Sequence, residues 1–172
     1  PYSVTAHAHD IYVDRAMLAP KLRDAAFIAA ISSFNRDFIE RHAGPGLLSK
    51  TFVIHCGVTP EHYPLPDATR DPRGIFEILC IGSLQPYKGQ RHLVDACGLL
   101  KARGVAFRCR VVGGGELRGP LERQIRDAGL QSEVLLLGPL PQEQVAALLP
   151  TAHCYCQPSV ITPAGKMEGI PV

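Results

Sequence analysis

The chain has 172 residues, with 46% hydrophobic and 20% charged side chains, enough apolar material to bury a real core in one domain or in parts of two. Its formal net charge of +2 is too small for the dense basic stripe of a nucleic-acid binder, so no nucleic-acid partner is expected. No run approaches the roughly 20 apolar residues of a membrane span, and no signal peptide opens the chain. It starts at Pro1 without a Met, so the natural N-terminus is expected to lie upstream. Six cysteines, Cys56, Cys80, Cys97, Cys109, Cys154 and Cys156, fall mostly inside apolar runs, the pattern of reduced core thiols in a cytoplasmic protein.

In chain order, residues 2–6 read as the end of a strand and residues 20–24 as a short helix with Pro20 at its first position. The apolar run 25–31 is short enough for a buried strand. Ser33 is placed to cap a helix through about Arg41, which Gly44-Pro45-Gly46 then stops. Residues 51–54 form another short strand. The stretch 59–74 holds Pro60, Pro64, Pro66 and Pro72 and reads as an interdomain linker, with a plain surface loop as the alternative.

Beyond it, strands are predicted at 76–81, 106–112, 134–137 and 153–156. Helices are predicted at 89–103, 120–128 and 141–149. Leu93, Val94, Cys97 and Leu100 mark the inner face of the first helix. Leu121, Ile125 and Ala128 mark that of the second, and Val145, Leu148 and Leu149 that of the third. Strict alternation of strand and helix predicts an α/β fold with parallel sheets flanked by helices.

Ligands of such sheets sit at the carboxyl ends of the strands, so the loops there carry the chemistry. Gly82 to Gly89 leaves a strand and enters a helix whose N-terminus holds about half a positive charge. Lys88 adds a full charge and Ser83 a hydroxyl, which suits an anion; a plain turn with a solvated Lys is the competing reading. Gly113-Gly114-Gly115-Glu116 lets backbone approach a ligand closely, but it is neither GxGxxG nor a P-loop. His7, His9 and Asp10 follow the first strand and could bind a metal or hydrogen-bond a ligand, or form a turn stabilised by Asp10. Glu168, beside Gly169, could bind sugar hydroxyls or be a solvated acid. Cys154-x-Cys156 beside His153 lacks CxxC spacing and a second ligand pair, so no metal is expected.

Taken as a series, Gly82-x-Leu84, Lys88-Gly89, Val112 to Gly115, Leu137-Gly138, Pro158-Ser159 and Glu168 to Val172 resemble the donor-binding half of the family 4 retaining glycosyltransferases. Those enzymes have the GT-B architecture of two Rossmann-like parts. Thr5-Ala6-His7 with Asp10 resembles an acceptor-side loop of the same family, and residues 54–58 resemble the close of its first domain. The wording of Glu168 to Val172 looks most like members that build exported bacterial polysaccharide.

The resemblance implies transfer of a sugar from a nucleoside diphosphate to an acceptor hydroxyl, carbohydrate or lipid-linked, without a cofactor or metal. It implies an acceptor-side part over 1–58, a linker over 59–74 and a donor-binding part over 75–172, incomplete at both ends. By position, Lys88 would hold the diphosphate, with Gly82 and Ser83 in the same loop. Gly113, Gly114 and Gly138 would line the nucleotide, while Glu168 and His7 would meet the donor sugar. His9 and Asp10 would stand on the acceptor side, and the part before Pro1 would carry any peripheral membrane contact.

Two departures stand out. Ser83 occupies the place of the family's usual arginine, and the family's second glutamate would fall past Val172. The isolated chain is therefore expected to lack transferase activity. A non-catalytic nucleotide-binding module on the same scaffold is the alternative. A nicotinamide-dependent oxidoreductase is disfavoured by the missing GxGxxG.

Overall fold

The computed structural model describes residues 1–7, 11–12, 15–63 and 74–169. They divide into two compact units, one of residues 1–58 with the described part of 161–172, and one of Thr59–Val160.

The first unit holds a parallel sheet in the order β1-β2-β3, formed by Ser3–Ala6, Phe27–Ala30 and Thr51–Val53. Helix α1 (Leu18–Asp24) precedes β2, and α2 (Ser33–Ala43) connects β2 to β3. Pro20 is the third residue of α1, not the first as predicted. The first turn tolerates it there because its missing N–H would have had no helical acceptor. Helix α2 is capped by Ser32, one residue earlier than expected, through Asn35 N–H donating to Ser32 Oγ at 3.1 Å. It runs past Arg41 to Ala43 and stops at Gly44, at φ 118°. The core gathers Ala6, Ile11, Tyr12, Leu22, Ile28 and Ile39, with Met167 packed against it. The resemblance implies a donor-binding part over 75–172; by contacts the described residues from Ile161 group with this first unit.

The second unit contains four parallel strands: β4 (Phe76–Ile81), β5 (Phe107–Val112), β6 (Val134–Gly138) and β7 (Cys154–Tyr155). Between them run α3 (Gln90–Ala102), α4 (Arg118–Asp127) and α5 (Gln142–Leu148). Leu93, Val94 and Cys97 of α3 meet Cys80, Cys109 and Val111 of the sheet, while Leu121 and Ile125 of α4 complete the same core. The predicted inner faces of two helices differ. Ala128 is exposed, because α4 closes with Gly129 at φ 65° and Leu130 N–H donating to Ile125 O at 2.8 Å, which turns Leu130 inward instead. On α5 it is Ala146 that is buried, with Val145, Leu148 and Leu149 only half-buried.

The strand order is β6-β5-β4-β7. From β4 the chain steps outward to β5 and β6, then returns to the other side of β4 for β7. That reversal makes a crevice outside the carboxyl ends of β4 and β7, the place where open α/β sheets bind their ligands. Residues 64–73 of the expected linker lie outside the described residues; Pro60–His62, before them, is a short 3-10 turn. Among the described residues no helix is long and apolar enough to cross a membrane.

Candidate functional site

The rim of the second unit is built from loops that follow β4, β5, β6 and β7. Their backbones are tied directly together. Gly82 N–H donates to Val112 O at 2.9 Å, Leu84 N–H to Gly114 O at 2.9 Å, and Gly113 N–H to Gly138 O at 2.8 Å. Leu117 N–H returns to Leu84 O at 3.1 Å. At Gly113 and Gly115 contacts this close leave no room for a side chain. A Cβ on Gly113, whose φ is 141°, would fall 2.0 Å from Gly82 O, so this position is restricted to glycine both sterically and conformationally. Gly82, Ser83, Gly113, Gly114 and Gly138 therefore share one rim.

Lys88 reaches the same place from the far end of the loop. Pro86–Lys88 is a 3-10 turn, Gly89 follows in the left-handed region at φ 71° and ψ 14°, and α3 begins at Gln90. The Lys88 stem lies across Gly82, where an added Cβ would stand 3.6 Å from Cδ and 3.8 Å from Cε. Its ammonium is 5.4 Å from the centre of the Tyr87 ring. Its charge is felt inside the sheet as well. Burial pushes the Cys80 thiol up to about 12, Cys156 adds to that rise, and Lys88 opposes it. A fixed cation over a glycine at a strand end, beside the positive end of a 13-residue helix, is an arrangement suited to an anion.

The loop after β7 meets this turn across the crevice. Val160 N–H donates to Tyr87 O at 2.9 Å, and a Cβ on Gly89 would fall 1.9 Å from Pro158 O. Tyr155 Oη donates to Gln157 Oε1 at 2.8 Å, and Gln157 Nε2 donates to Ser159 Oγ at 2.9 Å. Residues 158–160 thus serve the Lys88 turn, while the described residues from Ile161 belong to the first unit.

His7 and Glu168 also belong to the first unit. His7 is exposed one residue past β1, and Glu168 is half-buried near Met167. His9 and Asp10 lie outside the described residues. In the same unit His55 Nδ1 is 3.0 Å from Ile31 O, and Tyr12 Oη donates to the buried Asn35 Oδ1 at 2.6 Å. Among the described residues no group of three or more His, Cys, Asp or Glu side chains is placed to hold a metal ion.

Two side chains at the second rim were not singled out from the sequence. Arg118, the first residue of α4, has Nη1 3.6 Å from where a Cβ on Gly138 would stand, and its Nε pairs with Glu122 at 2.8 Å. Gln90, the first residue of α3, donates from Nε2 to Ser83 O at 3.1 Å. Both stand at the start of a helix that follows a glycine loop, and that position was the only available signal.

Residues 67–172 match the family model described as glycosyl transferases group 1. The amylovoran biosynthesis glycosyltransferase AmsK of Erwinia amylovora is 35% identical over 125 residues, covering 72% of this chain and 30% of that protein. A GDP-mannose-dependent alpha-(1-6)-phosphatidylinositol monomannoside mannosyltransferase of Mycolicibacterium smegmatis is 26% identical, over 96% of this chain and 46% of its own length. The chain therefore spans less than half the length of these relatives. Among solved structures, Anabaena HepE in complex with UDP and glucose superposes with a TM-score of 0.71 at 20% identity, over 92% of this chain and 46% of that one. The fold is the α/β, Rossmann-like one of GT-B enzymes, with parallel sheets flanked by helices. With its family model matched over 67–172, the chain belongs to the group 1 glycosyl transferases.

Proposed function

We propose that this chain is part of a retaining glycosyltransferase of family 4 that takes its sugar from a nucleoside diphosphate. Thr59–Val160 is read as the core of the donor side and residues 1–58 as the acceptor side. The observation that carries the reading is the Lys88 turn, lying over Gly82 at the β4/β7 switch point.

In the reaction, the bond from the anomeric carbon to the diphosphate oxygen breaks and a bond to the acceptor oxygen forms on the same face. The acceptor's proton leaves with the nucleoside diphosphate. Negative charge builds on that leaving group, so a cation and helix dipole already in place favour the transition state without reorganising. Lys88 supplies the cation and the Gly113 loop gives the nucleotide a close backbone surface. Ser83 provides a hydroxyl where the family's arginine would give charge, so Lys88 bears more of the task. Glu168 and His7 are proposed to meet the donor sugar, with His9 and Asp10 toward the acceptor. No cofactor and no metal are invoked.

The relatives frame the substrates. One is named for amylovoran biosynthesis and another for GDP-mannose and a phosphatidylinositol mannoside, and HepE was solved with UDP. A polysaccharide or lipid-linked acceptor in the cytoplasm, with peripheral membrane contact, fits that range.

The test is titration of UDP and GDP against the wild type and Lys88→Ala. Sugar transfer is then assayed in the protein carrying the flanking sequence of its relatives. Nucleotide binding that weakens in Lys88→Ala, with transfer that retains anomeric configuration, is the expected result. Binding without transfer would favour a non-catalytic nucleotide module, and no binding would remove the reading.

A further inference from the structure

Gln90 is 1% exposed, yet it is polar and stands directly beneath the proposed diphosphate loop. Its Nε2 donates to Ser83 O at 3.1 Å and is 3.9 Å from where a Cβ on Gly82 would be. The bond fixes the orientation of the amide, since only the nitrogen can donate to a carbonyl. Its Oε1 is buried and has no hydrogen-bond partner among the described residues.

Fold stability alone gives no reason for this amide. Ser83 O already accepts from Gln85 N–H at 2.9 Å, so losing Gln90 would not orphan it. A methionine of similar length would also remove the unpaired Oε1, and buried acceptors without partners are destabilising.

What the amide adds is direction. The Ser83–Leu84 peptide is held at both ends, its oxygen by Gln90 from the side of α3 in addition to Gln85 N–H within the loop, and its N–H by Gly114 O at 2.9 Å. A peptide oxygen is the negative end of a dipole, and one turned toward the rim would repel a diphosphate. We propose that Gln90 is a positioning residue. It keeps the Ser83 carbonyl turned down toward α3, so that the loop offers an anion the Ser83 hydroxyl and the Lys88 ammonium. The inference rests on the diphosphate reading of this rim, but it concerns a residue that does not itself touch the donor.

The experiment compares wild type, Gln90→Met and Lys88→Ala by thermal melting, by calorimetric titration with UDP, GDP and inorganic pyrophosphate, and by amide hydrogen exchange across residues 82–89. For Gln90→Met the expected result is a melting temperature equal to or above wild type. Affinity should fall about tenfold, the worth of one lost orienting hydrogen bond, and exchange should quicken in the loop without quickening elsewhere. Wild-type affinity in Gln90→Met overturns the inference and leaves the diphosphate reading standing. A clear drop in melting temperature with exchange raised throughout the second unit also overturns it, because Gln90 would then be a residue of the fold. If wild type binds none of the three probes, the diphosphate reading fails, and the role given to Gln90 goes with it.

Discussion

The two units finish their strands in different ways. In the first, side chains supplement the backbone at the strand ends: Ser32 caps α2, Tyr12 and Ser32 both donate to Asn35 Oδ1, and His55 bonds to Ile31 O. In the second, backbone bonds to backbone across Gly82, Gly113, Gly114 and Gly138. Glycine illustrates the contrast. Gly44 of the first unit has φ 118° with nothing within 4 Å of an added Cβ, whereas Gly113 has φ 141° and a carbonyl oxygen 2.0 Å away. The first glycine is there for its conformation alone. The second is also there because another chain segment occupies the space. A rim made of backbone leaves peptide groups near a ligand and makes the site intolerant of added atoms.

The largest expected effect tests that contrast directly. Gly113→Ala or Gly89→Ala should destabilise the second unit by about 3 kcal/mol or more, since both strain and overlap must be relieved. Gly44→Ala should cost about 1–3 kcal/mol, the backbone strain alone. Gly98→Ala, within α3 and with open space around it, should stabilise by about 0.5–1 kcal/mol. Chemical denaturation of the four variants checks the order, and equal losses at Gly44 and Gly113 would erase the distinction.

Next comes Lys88→Ala, which should leave the melting temperature nearly unchanged while weakening UDP or GDP binding by about ten- to a hundredfold, as loss of one charge-assisted contact implies. A smaller effect is expected on the side-chain-built end. Tyr12→Phe removes one of two donors to Asn35 Oδ1 and should cost about 1 kcal/mol of stability with nucleotide binding untouched. The smallest belongs to Lys101 and Glu133, 2.9 Å apart at the surface. Lys101 holds the Glu133 carboxyl below its usual range. The pair's contribution is therefore present at neutral pH, is lost as pH falls through the lowered value, and is screened by salt. Melting curves of Lys101→Ala across pH and ionic strength should show a slight change that vanishes in acid or high salt.

Much of the fold was legible in the sequence. Short strands rich in apolar residues, such as 76–81, alternating with helices of regular period, point to a parallel sheet. Boundaries were harder where a cap competes with its neighbour: Ser32 and Ser33 are both good caps, and only the backbone at Ser32 chooses between them. The inner positions of α4 were missed at Ala128 because a Gly129 turn redirects the chain so that Leu130 fills the core. At the site, the glycines and Lys88 announced themselves by spacing. Gln90 did not, since a glutamine at a helix start normally faces water and only tertiary packing buries this one. The division at Ile161 was equally invisible, because it depends on where Met167 finds an apolar surface.

The central claim is that a diphosphate sits against the loop 82–89 and the Gly113 turn. Two-dimensional amide NMR of the chain during titration with UDP and with GDP tests it most directly. One of the two is expected to shift the amides of Gly82, Ser83, Lys88, Gly89 and Gly113 together, with a single affinity. Saturable shifts that avoid these five residues, or no shift with either nucleotide, would contradict it.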